Sequence, residues 1–254
     1  MSFWQRLEEP AHVVVCGASR GIGLALTEQL LARTDVATVY AVARQASQAQ
    51  GLQALAAAQG QRLQCLDIDV CDEHALRTLA TQLRATIPRL HLLLCTVGVL
   101  QDGLSRAEKG LTQVSLEGLQ ATFMRNSFAP ILLLKHLLPL LRGQHPCTVA
   151  ALSARVGSIG DNRLGGWYSY RASKAALNML LKTASIEVRR SQPNAVLLAL
   201  HPGTVNSRLS QPFRGAEIGR PASEAAQDLL CVIDGLGPEA SGGFYAYSGE
   251  GLPW

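Results

Sequence analysis

The sequence of 254 residues lacks the short motifs that mark metal sites. Its six cysteines form no Cys-x-x-Cys pair and its six histidines form no His-x-x-x-His pair, so we expect no bound metal. The cysteines lie mostly within apolar, strand-like runs, and we expect them to be buried, reduced thiols. They are Cys16, Cys65, Cys71, Cys95, Cys147 and Cys231.

Long runs of basic or of apolar residues are also missing. The 23 basic residues are scattered along the chain and the net charge is only +4, a pattern that does not favour nucleic-acid binding. No apolar stretch reaches the length of a membrane span, and residues 1–10 contain no apolar signal core. We therefore expect a cytoplasmic protein that binds neither nucleic acid nor membranes.

Hydrophobic residues make up 48% of the chain, enough for one large core. Apolar strand-like runs alternate with helical segments and no long polar linker separates them. This order favours one α/β domain over residues 1–254, a doubly wound parallel sheet with helices on both faces. Seven strands are predicted near residues 12–16, 37–43, 62–67, 91–95, 147–152, 195–200 and 243–247.

The first predicted strand leads directly into a glycine-rich turn and then a helix. The glycine spacing is Gly-x-x-x-Gly-x-Gly rather than the commoner Gly-x-Gly-x-x-Gly. Such a turn lets the backbone approach a pyrophosphate, and the helix N-terminus offers free N–H groups to the anion. We therefore predict a dinucleotide site of the Rossmann type. The cofactor-binding residues of this turn are Gly17, Ser19, Arg20, Gly21, Ile22 and Gly23.

A tyrosine and a lysine four residues apart, Tyr170 and Lys174, share one face of a predicted helix. A free phenol has a pKa of about 10, so it needs a nearby positive charge to exchange protons near neutral pH. We predict that Tyr170 is a general acid/base and that Lys174 lowers its pKa, together with an oxidised nicotinamide. The spacing alone also arises by chance, but the glycine turn upstream argues against coincidence.

Together, the glycine turn, the Tyr170/Lys174 pair and the run His201-Pro202-Gly203-Thr204-Val205 resemble the short-chain dehydrogenases/reductases. The resemblance covers nearly the whole chain. Residues 157–159 and 165–170 are similar to the branch of C-factor-like proteins and small insect carbonyl reductases. The resemblance implies an oxidoreductase that transfers hydride between nicotinamide and a small carbonyl or secondary alcohol. The alternative is a weakly catalytic or non-catalytic NADP(H)-binding sensor or signalling protein.

The resemblance also implies roles for residues outside these motifs. Asn126 would anchor a water molecule in a proton relay, although a mid-helix asparagine is otherwise expected to be solvent-facing or bonded to the backbone. Asp69 and Val70 would lie against the adenine. Because ligands bind outside the carboxyl ends of parallel strands, the remaining cofactor contacts are expected along that edge. They are Gly98, Pro202, Gly203, Thr204 and Val205.

The cofactor choice follows from charge at the end of the second predicted strand. That strand ends at Arg44 and offers no carboxylate for a ribose hydroxyl. A guanidinium suits a 2′-phosphate, and Arg20 in the glycine turn is a second candidate for the same group. We therefore expect NADP(H) to be preferred, with NAD(H) possible. The alternative is that both arginines are solvated surface residues.

Two positions depart from the family pattern. Alignment on Gly157 places Ala154 where the family has the serine that binds the substrate carbonyl. We choose Ser153, at the end of a predicted strand, as the replacement catalytic hydroxyl, and Ser158 stays open as an alternative. The run Cys95-Thr96-Val97-Gly98 stands where the family commonly has Asn-Asn-Ala-Gly, so the usual bracing of the central strand is in question.

Substrate selection is assigned to two loops, near residues 160–167 and 206–219. Arginines in these loops either attract an acidic group or face solvent. The helical segment 116–141 is too apolar for a singly exposed face, and by resemblance it pairs with the Tyr170 helix in a homodimer or homotetramer. The alternative is a deeply buried helix of a monomer. An apolar pocket wall is expected from Leu164, Trp167, Leu209, Pro212 and Phe213.

Overall fold

The computed structural model describes residues 2–254 and shows one seven-stranded parallel sheet. The strand order is β3-β2-β1-β4-β5-β6-β7, a doubly wound arrangement with helices on both faces. Every strand boundary lies within one residue of its prediction from the sequence, so the predicted fold class is confirmed. The strands are β1 (Ala11–Cys16), β2 (Val36–Ala43), β3 (Leu63–Asp67), β4 (Leu92–Cys95), β5 (Cys147–Leu152), β6 (Ala195–His201) and β7 (Gly243–Ala246).

The central strands are apolar along their whole length because both faces of the sheet are covered. In β1, Val14 and Cys16 point into one core, whereas Val13 and Val15 point into the other. This alternation follows from the two-residue period of a strand. All four residues of β4 are buried.

Helices cover both faces of the sheet. They are α1 (Gly21–Leu31), α2 (Gln50–Gln59), α3 (Glu73–Thr86), α4 (Leu116–Phe123), α5 (Ala129–Leu141), α6 (Tyr168–Arg189), α7 (Gly215–Ile218) and α8 (Ala222–Gly235). None of the helices over residues 2–254 is long and apolar enough to cross a membrane.

A π-helical turn, Met124–Phe128, joins α4 to α5, so the segment predicted as one long helix is helical throughout. Most of its apolar run packs within the chain. Leu133, Leu134 and Leu137 are buried in the same core as β4 and β5. The apolar character of this segment is therefore largely explained without a partner subunit.

The prediction that all six cysteines are buried is wrong for Cys231. All six are free thiols, but Cys231 is exposed, and Cys65 and Cys71 are only partly buried. Cys231 lies on the outward face of α8, between the buried residues Leu230 and Val232. Its apolar neighbours in sequence gave a strand-like pattern, whereas the helical period of α8 turns its side chain to solvent.

Candidate active site

The glycine turn adopts a backbone conformation that glycine accommodates with the least strain. Gly17 and Gly21 have positive φ angles of 85° and 54°. A Cβ atom at Gly23 would lie 2.2 Å from the carbonyl oxygen of Gly17, so α1 packs directly against the turn. No side chain caps the N-terminus of α1 at Arg20. The turn and the helix end therefore form an open cradle that fits a pyrophosphate.

Of the two arginines proposed for a 2′-phosphate, one lies in the glycine turn and the other follows β2, the strand that pairs with β1. Arg20 precedes α1 and Arg44 follows β2, and both are exposed. Neither forms an ion pair with another residue of the described range 2–254. Both guanidinium groups are therefore available to an anionic ligand.

The other predicted cofactor contacts lie beyond the carboxyl ends of the strands. The Asp69 carboxylate accepts a hydrogen bond of 2.9 Å from the Cys71 N–H, and Val70 is buried. Gly203 has a φ of +77° and lies against the ring of Tyr247. Thr204 accepts from Arg220 N at 3.0 Å through its carbonyl oxygen. These contacts hold the backbone in place. The cofactor roles assigned to these residues stay predictions.

Tyr170 and Lys174 lie on α6, and both side chains are buried. The Nζ atom of Lys174 lies 5.8 Å from the centroid of the Tyr170 ring and donates a hydrogen bond of 2.7 Å to the Leu152 carbonyl oxygen. A Cβ atom added to Gly98 would lie 3.4 Å from that Nζ. The backbone at Gly98 therefore leaves room for the lysine ammonium at the edge of the sheet.

Burial acts on both ionisable groups. It raises the pKa of Tyr170 and lowers the pKa of Lys174 to about 8. The predicted lowering of the Tyr170 pKa relied on Lys174 together with an oxidised nicotinamide, and it stays a prediction. The lysine does not outweigh desolvation, and a second positive charge near the phenol is needed for the phenolate.

Asn126 lies in the π turn and is completely buried. Its side-chain oxygen accepts from Val99 N at 2.8 Å, and its amide donates to Val99 O at 2.8 Å and to Ser173 Oγ at 3.0 Å. The amide is thus bonded to the backbone, the alternative drawn from the residues alone, while its role in a water relay stays a prediction. Single π-helical turns within helices occur frequently at functional sites.

Tyr170 is enclosed by a small apolar cluster separate from the two main cores. The Trp167 ring lies 6.3 Å from the Tyr170 ring and 5.0 Å from the Phe213 ring, measured between centroids, in edge-to-face geometry. Two residues of the predicted wall, Leu164 and Pro212, are instead exposed to solvent. The cluster consists of Leu100, Ala107, Ala154, Val156, Trp167, Tyr170, Leu209 and Phe213.

Comparison with known proteins identifies the family of this chain. A sequence model of the family described as short chain dehydrogenase matches residues 11–217. The chain belongs to this family. It is therefore an oxidoreductase of the dehydrogenase/reductase type, as the sequence predicted.

Named relatives agree with the predicted branch of the short-chain dehydrogenases. The C-signal protein of Myxococcus xanthus is 37% identical over 152 residues, which cover 60% of this chain and 88% of that protein. The carbonyl reductase Sniffer of D. melanogaster has a TM-score of 0.85 at 26% identity and covers 97% of this chain and 100% of its own. An NADPH-bound carbonyl reductase from chicken fatty liver has a TM-score of 0.81 at 28% identity, and the match covers 98% of this chain and 100% of that chain.

One departure from the short-chain dehydrogenase pattern affects the substrate side of Tyr170. Ala154 packs in the cluster with Tyr170, so this position presents a methyl group. Ser153 Oγ donates to Asn178 Oδ1 at 2.6 Å, and Ser158 Oγ accepts from Asp161 N at 3.1 Å. The choice of Ser153 as the catalytic hydroxyl stays a prediction, which its bond to Asn178 does not support.

The second departure is compensated by Thr96. Its N–H donates to Cys16 O at 2.9 Å, and its hydroxyl donates to the same oxygen at 2.8 Å and to Gly17 O at 3.3 Å. Thr96 therefore braces the end of β1 and the start of the glycine turn. The central strand keeps its bracing without the family's asparagine side chains.

Sequence reasoning missed Glu108, which lies in the loop between β4 and α4. Its carboxylate is buried and accepts hydrogen bonds from Ser169 Oγ and from Ser169 N, the latter at 3.2 Å. Ser169 precedes Tyr170, but Glu108 is 61 residues away in sequence. No spacing or periodicity links residues that far apart, so a single sequence carries no signal for this contact.

Proposed function

We propose that this protein is an NADPH-dependent carbonyl reductase in which Tyr170 donates a proton to the carbonyl oxygen of an apolar substrate. The observation that carries the proposal is the buried Tyr170/Lys174 pair, which lies next to an apolar cluster and close to Gly98. Carbonyl reductases among its structural relatives support the same reaction class.

The glycine cradle fits a dinucleotide, and NADP(H) is the form that its charges favour. The turn Gly17 to Gly23 would hold the pyrophosphate, and Arg20 and Arg44 would bind the 2′-phosphate. NAD(H) lacks that phosphate and would leave both arginines unpaired. When bound, the nicotinamide supplies the hydride that reduces the carbonyl carbon.

Tyr170 is in the right protonation state for reduction. Because burial raises its pKa, the phenol keeps its proton at neutral pH and can donate it to the oxygen that receives the electron pair. Lys174, whose pKa is lowered to about 8, still carries its charge at pH 7. It would hold the ribose hydroxyls and stabilise the phenolate that remains after proton transfer. Asn126 would then anchor the water through which the proton is replaced.

The surroundings of Tyr170 select an apolar substrate. Trp167, Phe213, Leu100 and Val156 line or pack against the same cluster, and they offer an incoming ligand no charged partner. The carbonyl oxygen would accept a hydrogen bond from the phenol but none from position 154, because Ala154 has no hydroxyl. By analogy with a missing oxyanion donor, the lost hydrogen bond costs about 10²-fold in rate. We therefore expect slow turnover.

The test is titration of the purified protein with NADPH and with NADH, followed by absorbance-monitored turnover against aldehydes, ketones and diketones. We expect tighter binding of NADPH and oxidation of NADPH only when a carbonyl compound is present. A matched Arg44→Ala variant should lose NADPH affinity and leave NADH affinity unchanged. Equal affinity for both cofactors in the parent protein would contradict the assignment of Arg20 and Arg44.

Ala154 favours a second candidate function, an NADP(H)-binding sensor with little or no catalysis. A methyl group at this position leaves nucleotide binding intact and weakens only the chemical step. Tight NADPH binding without carbonyl-dependent oxidation in the parent protein would support this candidate over the reductase.

A further inference from the structure

Glu108 is a buried carboxylate with two partners on the helix that carries Tyr170. Only 2% of its surface is exposed, and its carboxylate accepts from both Ser169 N and Ser169 Oγ. Its backbone oxygen accepts from Trp167 N at 2.5 Å. One loop residue therefore binds both residues that flank Tyr168 and holds the turn that leads into Tyr170.

The start of α6 needs a partner of this kind. Trp167 occupies the N-cap position with a left-handed φ of 51°, and no local side chain caps the helix. The first turn of α6 contains no acidic residue. Unpaired N–H groups and the positive end of the helix dipole favour an acceptor with a negative charge, and hydrogen bonds to such a charge are strong. Glu108 provides this acceptor from a distant loop.

The loop that carries Glu108 is itself attached to the site at its beginning. Asn126 bonds to both backbone groups of Val99, and Arg125 pairs with Asp102. The π turn therefore fixes the first part of the loop, and Glu108 fixes a later part to α6. This arrangement links the Asn126 side of the site to the Tyr170 side.

We propose that Glu108 is a positioning residue that sets the place of Tyr170 by capping α6 and by holding Trp167 in its left-handed conformation. The proposal rests on the proposed reductase function. Glu108 acts through Ser169 and Trp167 and takes no part in proton transfer. A small displacement of Tyr170 would reduce the chemical step, because catalysis depends on the phenol lying within hydrogen-bond reach of the carbonyl oxygen.

The test compares Glu108→Gln, Glu108→Ala, Ser169→Ala and the Glu108→Gln/Ser169→Ala double variant with the parent protein. Glu117→Gln is the matched control, because it removes the same charge from an exposed position in the first turn of α4. The kcat is expressed per NADPH-binding site, so that a smaller folded fraction does not count as lost catalysis.

We expect kcat to fall about 10-fold in Glu108→Gln and about 100-fold in Glu108→Ala, with the KM for NADPH changed by less than about 2-fold. The double variant should be no slower than the slower single variant, because the hydroxyl that Ser169→Ala removes is bonded to the carboxylate that Glu108→Gln changes. Glu117→Gln should match the parent. An unchanged kcat in Glu108→Ala, or a loss seen equally in Glu117→Gln, would overturn the proposal.

The role of Glu108 can be tested even if the proposed reductase function is wrong. If the parent protein shows no carbonyl-dependent turnover, the proposed function fails. Amide hydrogen exchange at Ser169 and Tyr170 then tests, without any activity measurement, whether Glu108 caps α6. Faster exchange there in Glu108→Gln, with no change in Glu117→Gln, supports the capping contact, and equal exchange in all three proteins contradicts it.

Discussion

Desolvation dominates the two ionisable side chains at the centre of the site. It raises the pKa of Tyr170 and lowers the pKa of Lys174 to about 8, so it favours the neutral form of each group. A neutral phenol is the form required for reduction. A charged lysine is also required, and burying that charge lowers the stability of the folded protein. Function and stability therefore conflict at Lys174.

Lys174→Met should increase stability near neutral pH. Between pH 8 and pH 10.5 the unfolded chain binds more protons at this residue than the folded chain, so its contribution to stability rises with pH. At pH 7, removing the buried charge should raise the free energy of unfolding by about 2 kcal/mol, because the relieved cost exceeds the lost hydrogen bond to Leu152. Urea unfolding at several pH values measures this effect.

The gain in Lys174→Met should shrink as the pH rises from about 8 to about 10.5, because the folded lysine is then already neutral while the unfolded lysine still carries most of its charge. Lys182→Met, on the same helix but without a buried charge, is the matched control and should show no such pH dependence. A Lys174→Met protein that is less stable than its parent at pH 7 would contradict the account.

Ala154→Ser should increase the rate of carbonyl reduction. The new hydroxyl would lie in the cluster beside Tyr170 and donate a hydrogen bond to the carbonyl oxygen, for an expected gain of about 10-fold or more in kcat. Ser153→Ala is the comparison: because the Ser153 hydroxyl is bonded to Asn178, kcat should stay within about 2-fold of the parent. Steady-state kinetics of both variants would decide which position matters, and a large loss in Ser153→Ala would restore Ser153 as the catalytic hydroxyl.

Among the structural elements, local sequence patterns were sufficient to predict the strands of the sheet, but not the contacts made by the long loops. Buried apolar runs located β1 to β7 because period and composition act over a few neighbouring residues. The contacts of Glu108 with Ser169 and of Asn126 with Val99 span 61 and 27 residues, and no local pattern encodes them. The side-chain directions of Ser153 and Cys231 were missed for the same reason, since tertiary packing determines them.

The π turn makes a prediction about Asn126. Asn126→Asp keeps an acceptor for Val99 N but loses the donors to Val99 O and Ser173 Oγ, and it places a charge in a fully buried site. We expect destabilisation of about 3 kcal/mol or more, together with reduced turnover. Thermal unfolding measures the first effect. Asn162→Asp, at an exposed asparagine whose side-chain oxygen also accepts from a backbone N–H, is the control, and an Asn126→Asp protein as stable as its control would contradict this role.

At the scale of the whole molecule, we propose that the protein forms a homodimer or homotetramer through α6 and the α4–α5 segment. Most of the α5 apolar run is buried within the chain. Apolar side chains nevertheless remain exposed on these helices, with Met179 65% and Ile186 53% accessible on α6 and Phe128 42% accessible at the π turn. Exposed apolar groups on adjoining helices favour association.

Light scattering should therefore give at least twice the chain mass of 27.2 kDa. Met179→Lys/Ile186→Lys should shift the protein to the monomer, because two charges cannot be buried unpaired in an interface. Leu164→Lys, at a side chain that is 92% exposed outside these helices, is the control and should leave the mass unchanged. A parent protein of monomer mass at micromolar concentration would contradict the proposal.

A comparison of the parent protein with Tyr170→Phe shows whether Tyr170 is the proton donor of a carbonyl reduction. The variant removes one buried hydroxyl and keeps the ring that packs against Trp167. We predict that carbonyl-dependent NADPH oxidation falls by at least about 10²-fold while the Kd for NADPH is unchanged. A Tyr170→Phe protein that oxidises NADPH at the parent rate would contradict the account.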